Sequence, residues 1–190
     1  ILKLYREGNL DPTIYAFMNA NLRVPEKVLG DIRAQLVANH VCTRGLLALL
    51  EEYQMSGLED LAQIIIERTE LSLRRKISAL PDGIHHCTAL LPPIPSCPDR
   101  VELKAKIEIN GDGVIVDWTG SSGEVAAAIN GTPNILQSFT TYPFKLALDP
   151  NVPNNEGGLN PITVIAPEGC ILNSRPPAAT WGRTMIYHVI

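Results

Sequence analysis

The sequence predicts an α+β fold in which a helical hairpin over residues 1–80 precedes a β-rich region over residues 81–190, mainly antiparallel and with additional helices. Three observations carry that prediction. Apolar residues recur at helical spacing through the first region, the period changes to strict alternation in VELKAKIEI, and Gly, Pro and Asn crowd the segments between apolar runs in the second region.

In chain order, the first helix lies in NLRVPEKVLGDIRAQLVANHVCTRGLLALLEEYQ, where Val28, Ile32, Leu36, Leu46, Leu47 and Leu50 fall roughly at helical spacing. Pro25, with its fixed φ and no amide hydrogen, suits a first turn, and the helix ends before Gly57. A second helix runs from Leu58 to about Leu80, with Leu61, Ile64, Ile65, Leu71, Leu73 and Ile77 among charged residues. Pro81-Asp82-Gly83 stops it with turn chemistry, and the two helices form the predicted hairpin.

VELKAKIEI places Val101, Leu103, Ala105, Ile107 and Ile109 on one face and Glu102, Lys104, Lys106 and Glu108 on the other, the alternation of a half-buried strand. NGDG then turns the chain into VIVDW, which predicts an antiparallel pairing of residues 101–109 with 114–118, because Asn-Gly adopts positive φ readily. Pro92 to Pro98 reads as a rigid loop before that hairpin. Thr132 and Pro133 read as the N-cap and first residue of a helix through about Leu148, followed by a polar loop at Asn151 to Gly158. ITVIA, the turn PEG and CIL predict one more hairpin, and Gly182 to Ile190 the start of another helix.

A chain of 190 residues, 45% hydrophobic and 19% charged, suffices for one sizeable core and falls in the globular class. Its net charge of -4 gives no basic surface for nucleic acid phosphates or an anionic membrane. No segment approaches the roughly twenty apolar residues that span a bilayer, and no basic leader with a cleavage site opens the chain, so a soluble, cytoplasmic protein is expected. Cys42, Cys87, Cys97 and Cys170 are scattered without a CxxC pair, which points to reduced thiols rather than a zinc ribbon or a disulfide framework. The sequence starts at Ile1 without a methionine and stops inside the apolar run MIYHVI, so a piece of something longer is expected.

Several residues offer chemistry. Asp117, Thr119, Gly120 and Ser121 follow a β-type run and gather at the end of a strand. That arrangement resembles the phosphate loop of actin-like ATPases, although EVAAAIN intervenes where that loop continues into a second strand; equally, Asp117 and Thr119 cap the following turn. Asn130, Asn154 and Asn155 present neutral amides, able to hydrogen-bond a neutral polar group such as another amide without burying an unpaired charge. The alternative for NNEGG is a loop shaped by its own backbone. Asp31 and Gln35 are four apart and share a helix face, turned to a cleft or to solvent. His85, His86 and Cys87, with Cys97 beyond the proline loop, are metal-capable donors, but strand alternation sends the two histidines to opposite faces, and no metal ligand is assigned. His40 and His188 are isolated, Cys42 and Cys170 lie in apolar surroundings, and no catalytic residue is assigned.

In their order, NLRVPEKVLGDIRAQ, VDWTGSS, Asn130, VPNNEGG and VIAPEGCILN resemble the B subunit of the hydantoinase and 5-oxoprolinase family, whose relatives include the acetone and acetophenone carboxylases. Asp31 and Gln35 match the family's GDLxAQ, Asp117 and Thr119 its DFTGT with Trp118 in place of Phe, and Asn155 its P-x-N-x-G. The resemblance runs from ILKLYREGNL to RPPAAT and departs at the proline-rich loop, where an acidic LDDDG-like stretch is missing.

The resemblance implies an internal segment of the B subunit of an ATP-dependent cyclic amide hydrolase, or of a related ketone carboxylase. It implies a hetero-oligomer with an A-type, actin-like ATPase subunit that holds ATP and Mg, and substrate-binding roles for Asp31, Gln35, Asp117, Thr119, Asn130 and Asn155. A divalent metal is implied too, held by a His and Asp motif and a further His before the region matched by Ile1. The isolated chain is expected to be inactive. Two other classes fit the residues: a non-catalytic interaction module that docks a partner through its long helices, and a nucleotide-binding domain built on DWTGSSG.

Overall fold

Asp11 and Pro12 start the first helix. In the computed structural model, which describes residues 2–188 except 95, 96, 98 and 99, the Asp11 carboxylate accepts from the amides of Thr13 at 3.0 Å and Ile14 at 3.1 Å. It thereby caps α1, Pro12–Asn21, at whose N-terminus two orphan amides would otherwise lack partners. A two-stranded antiparallel ribbon precedes it, β1 (Tyr5–Arg6) and β2 (Asn9–Leu10), turning through Glu7 and Gly8 at positive φ. Asp11-Pro12 is a helix-start signal that the periodicity reading passed over.

α2 spans Pro25–Glu52 with the proline in its first turn, as predicted, and Gln54 takes a φ of 52° just beyond it. It is tied to α1 by Arg33, whose guanidinium donates to the Tyr15 hydroxyl and lies 5.4 Å from that ring's centroid. Leu29 is buried, whereas Val37, Val41, Leu46 and Leu47 are exposed. These elements form one of two compact units, Ile1–Leu58; the other is Glu59–Ile190.

The second unit opens with α3, Glu59–Ile77, with Glu59 and Asp60 in its first turn and Arg74, Arg75 and Lys76 in its last, each sign matched to its end of the helix dipole. Thr69, Leu73 and Ile77, four apart, are its buried stripe. The division of the chain thus falls after Leu58 rather than near residue 80, and the two helices read as one hairpin belong to different units. A stripe at helical spacing shows that a face is covered and does not identify what covers it.

The sheet has the order β3-β4-β5-β6, with β3 at Gly83–Leu90, β4 at Glu102–Asn110, β5 at Gly113–Asp117 and β6 at Ile162–Ile165. β3 and β5 flank β4 antiparallel, in the pairing the alternation predicts. The β4–β5 loop is Gly111-Asp112, with Asn110 already paired to Gly113 and Gly111 at φ 60°; the positive φ falls on the glycine alone. Asp82 accepts from the Gly111 amide at 2.8 Å and so joins this turn to the one that ends α3. Between β3 and β4, Ile94 and Cys97 form an isolated bridge; the rest of the Pro92–Pro98 loop lies partly outside the described residues.

β6 corrects the last predicted hairpin. It pairs parallel with β5, and PEG-CIL does not return as a strand. Instead Gly169 N–H donates to Asn173 O, Ile171 N–H to Ser122 O, and Gly131 N–H to Ile171 O, so the run is woven through loops. α4, Pro133–Leu148, crosses between β5 and β6. Thr132 precedes it as predicted, but its side chain makes no cap bond and its amide donates to the Tyr187 hydroxyl at 3.1 Å. Tyr187 ends the short α5, Thr184–Tyr187, and stacks on Phe139 with ring centroids 4.8 Å apart. The core gathers α3, the sheet and the loops: Leu73, Leu103, Val116, Ile162, Leu172 and Ile186 are all nearly inaccessible, each worth about 1.5–3 kcal/mol of burial. No helix of the described residues is long and apolar enough to cross a membrane.

Candidate functional site

Asp117 ends β5, and its carboxylate accepts from the Thr119 amide at 2.9 Å. Hydrogen bonding to Thr119, through its side chain and then its amide, holds this carboxyl below the usual carboxylate range. Past the turn, Ser121 Oγ accepts from Lys104 N–H at 3.0 Å, Ser122 Oγ accepts from Glu102 N–H at 2.9 Å, and Ser122 N–H donates to Glu102 O at 2.8 Å. The two serines continue the ladder of β4 where β5 has left it. The amides of Thr119, Ser121 and Ser122 are therefore engaged within the chain. A phosphate cradle needs amides pointing at the ligand, and these three point into the chain instead.

Asn130 is completely buried. Its Oδ1 accepts from Val125 N–H at 2.8 Å, and its Nδ2 donates to the carbonyls of Val125, Ala127 and Ala179 at 2.8 to 3.1 Å. Every hydrogen that amide can donate is directed at the chain, so Asn130 pins the VAAAIN loop to the segment after Pro177 and presents no donor to a ligand.

Asn155 caps the 3-10 turn Glu156–Gly158, accepting from Gly157 N–H at 2.9 Å and donating to Thr69 Oγ1 at 2.9 Å. It also borders a cleft of about 340 Å³ with Ser138, Thr141, Tyr142, Lys145, Pro153, Asn154, Gly158 and Leu159, whose surface is largely apolar with a few polar groups. Lys145 Nζ donates to Asn154 Oδ1. Ser138, Tyr142 and Lys145 sit at i, i+4 and i+7 of α4, a polar stripe the sequence reading overlooked; that spacing was the available signal. As donors to a carbonyl or carboxylate oxygen the cleft offers the Lys145 ammonium, the Asn154 amide and the Tyr142 hydroxyl; the hydroxyls of Ser138 and Thr141 already donate to Asn134 O and Gln137 O.

Asp31 and Gln35 lie on α2 in the first unit, both exposed and four apart as predicted. Asp117, Thr119 and Asn130 border none of the three cavities described, and no hydrogen bond joins them to Asn155. His85, His86 and Cys87 are consecutive on β3, and among the described residues no group of three His, Cys, Asp or Glu is placed to hold a metal. Of the other two cavities, one lies between α4 and the sheet and the other beside the Glu124–Arg175 ion pair.

The family described as Hydantoinase B/oxoprolinase matches the sequence over residues 1–190. The B-type subunit of a putative D-/L-hydantoinase from Pseudomonas sp. (strain NS671) is 26% identical, over 96% of this chain and 33% of its own length. The 5-oxoprolinase of Dictyostelium discoideum is 25% identical, over 97% of this chain and 15% of its own. Among solved structures, the ATP-dependent caprolactamase from Pseudomonas jessenii superposes with a TM-score of 0.81 at 22% identity, covering 99% of this chain and 35% of the other. A nucleotide-free acetone carboxylase gives 0.79 at 16%, covering 96% and 26%. The chain spans about a third or less of the length of these relatives.

Proposed function

Because the chain belongs to the hydantoinase B/oxoprolinase family, we propose that it is part of the B-type subunit of an ATP-dependent enzyme that opens a cyclic amide or carboxylates a ketone. The family match across the whole of residues 1–190 carries this reading. Hydantoins, 5-oxoproline and caprolactam are cyclic amides and acetone is a ketone, so the compounds in the relatives' names share a carbonyl group. In this reading ATP and Mg are held by an A-type partner subunit and a divalent metal by a part of the B-type subunit outside this sequence. This reading is supported by the three DWTGSSG amides turned into the chain, those of Thr119, Ser121 and Ser122, and by the described residues holding no group of three His, Cys, Asp or Glu placed for a metal. No step is derived through ATP, Mg or that metal.

What this chain supplies is orientation. Lys145 and the Asn154 amide, in the cleft walled by Asn155, hold the oxygen on which negative charge develops, at a position fixed by α4 and the 3-10 turn. Asp31, Gln35, Asp117 and Thr119 are proposed to contact the substrate from their own places, and Asn130 to act by shaping its loop.

The test measures ADP release by the purified protein with its ATPase partner, ATP and a divalent metal, on adding hydantoin, 5-oxoproline, caprolactam, or acetone with bicarbonate. One substrate class should stimulate release, and Lys145→Ala or Asn154→Ala should lower it at least about tenfold with an unchanged melting temperature. Stimulation by none of them, in a complex that still assembles, favours the interaction module instead, a reading supported by the exposed Val37, Val41, Leu46 and Leu47 of α2. Turnover by the isolated, monomeric chain would sink the division of labour.

A further inference from the structure

An asparagine followed by glycine loses its side-chain amide readily, because glycine has no Cβ to keep its main-chain nitrogen away from the asparagine side-chain carbonyl carbon. The chain carries two such pairs, Asn110-Gly111 and Asn130-Gly131, and their surroundings differ. Asn130 is buried, four hydrogen bonds hold its side chain, and Gly131 N–H donates to Ile171 O at 2.6 Å. Asn110 and Gly111 stand exposed at the β4–β5 turn, where water and hydroxide reach them.

The exposed pair is guarded from outside its own strand. Gly111 N–H donates to Asp82 Oδ1 at 2.8 Å, across from the turn that ends α3. The other residue of the loop is tied to α3 itself, where Arg74 reaches Asp112 O at 3.5 Å and its carboxylate at 3.4 Å. Asn110 is paired with Gly113 as the last residue of β4. Closing a ring between Gly111 N and the Asn110 side chain requires that nitrogen to lose its proton and the main chain to rotate out of the extended form. A carboxylate accepting that N–H opposes the first, since it stabilises the protonated amide and repels the anion. Held by the same bond and by the pairing with Gly113, the main chain also resists the second.

We propose that Asn110 is a site of spontaneous deamidation that Asp82 holds closed. When the turn opens and the Asp82 bond breaks, Gly111 N attacks Asn110 Cγ. The new N–C bond replaces the bond from Cγ to Nδ2, and Nδ2 leaves as ammonia with the proton that Gly111 gives up. One water then opens the cyclic imide at either of its carbonyls, leaving aspartate or isoaspartate at position 110. Water is the one co-reactant, and the step needs neither ATP nor a partner subunit. Isoaspartate adds a carbon to the main chain, which a two-residue turn cannot absorb, so the pairing of position 110 with Gly113 is lost.

The test incubates the purified protein, its Asp82→Ala variant and the synthetic peptide IEINGDGVI side by side in mildly alkaline buffer. Peptide mass spectrometry follows the conversion of amide to acid at Asn110, and fragmentation distinguishes aspartate from isoaspartate there. The protein should react at least about tenfold more slowly than the peptide, because the reactive geometry is confined to a minor, open form of the turn. Asp82→Ala should speed the reaction about fivefold, the effect of one hydrogen bond. Asp82→Ser, whose hydroxyl ends one atom shorter than the carboxylate, should act in the same direction and covers the case in which Asp82→Ala does not fold. Asn130 in the same digests reports on the fold and should stay intact throughout. The proposal is overturned if the protein reacts as fast as the peptide. It is equally overturned if neither Asp82 variant speeds the reaction at Asn110 while Asn130 stays intact.

Discussion

Asn155 and Thr69 stand 86 positions apart and are joined by a 2.9 Å hydrogen bond from the amide to the hydroxyl. Thr69 in turn donates to Ile65 O within α3, so the loop before β6 is fastened to a helix through a buried threonine. Asn155→Ala removes both this bond and the cap on Gly157, and should cost about 1–2 kcal/mol of unfolding free energy. Urea denaturation measures it. A loop amide that only contacts a ligand would leave stability unchanged.

Gly157 makes a steeper case. A Cβ there would run into the backbone carbonyl of Ile66, and the nearest atoms are main chain of a helix that cannot step aside. Gly157→Ala should destabilise by about 3 kcal/mol, the upper end of the overpacking range, whereas Gly158→Ala, with open space above it, should be close to neutral. Thermal melts of the two variants provide the comparison.

Replacing Asn130 by Asp keeps the shape and removes the donors, leaving the carbonyls of Val125, Ala127 and Ala179 facing a carboxylate. A buried charge with the Val125 amide as its one donor and three carbonyls against it is costly, and a loss of about 3 kcal/mol or more is expected. Soluble yield and amide exchange across residues 125–131 should both report it, with Asn155→Ala as the milder reference.

Glu70 is held below the ordinary carboxylate range by the Asn160 amide, at 2.7 Å, and by Arg74. A depressed carboxyl contributes stability that is present above its unfolded value and lost as the pH falls through the folded one, so the effect belongs below pH of about 4.3. The urea midpoint should fall on acidification from about pH 5 to pH 3. Glu70→Gln should flatten part of that slope and lower the neutral-pH midpoint by the same amount, a small one because the pair is partly exposed. Asp117 acts with the same sign, and Asp117→Asn should remove a further share.

Much of this fold could be read along the chain. β4 and β5 announce themselves through period-two alternation around an Asn-Gly turn, and α2 through Pro25 and its spacing. The failures are those of distance. Cys170, Ile171 and Leu172 look like a strand because they are apolar and buried, but their backbone partners are Ser122, Gly131 and Asn173, which no local pattern announces. For the candidate site, residue type showed that Asn130 and Asn155 matter and could not show whether their amides faced outward. Saturation is a property of the folded surroundings, so Asn130 resembled a ligand group while being a fastener. Asn154, already read as an available amide, does open on the cleft, and Lys145 beside it was hidden by the ordinary look of a surface lysine.

The parallel seam between β5 and β6 has a kinetic consequence. On one side β5 meets β4 across a two-residue loop, a contact that forms locally in microseconds. On the other it meets β6 only after the chain has travelled through α4 and the loops beyond it, so closure carries the entropy of a long excursion. β5 is therefore where an early event and a late one share a strand. Under mild destabilisation β6 should detach first, taking the support of the Asn155 loop with it, and its amides should exchange with solvent well before those of β4.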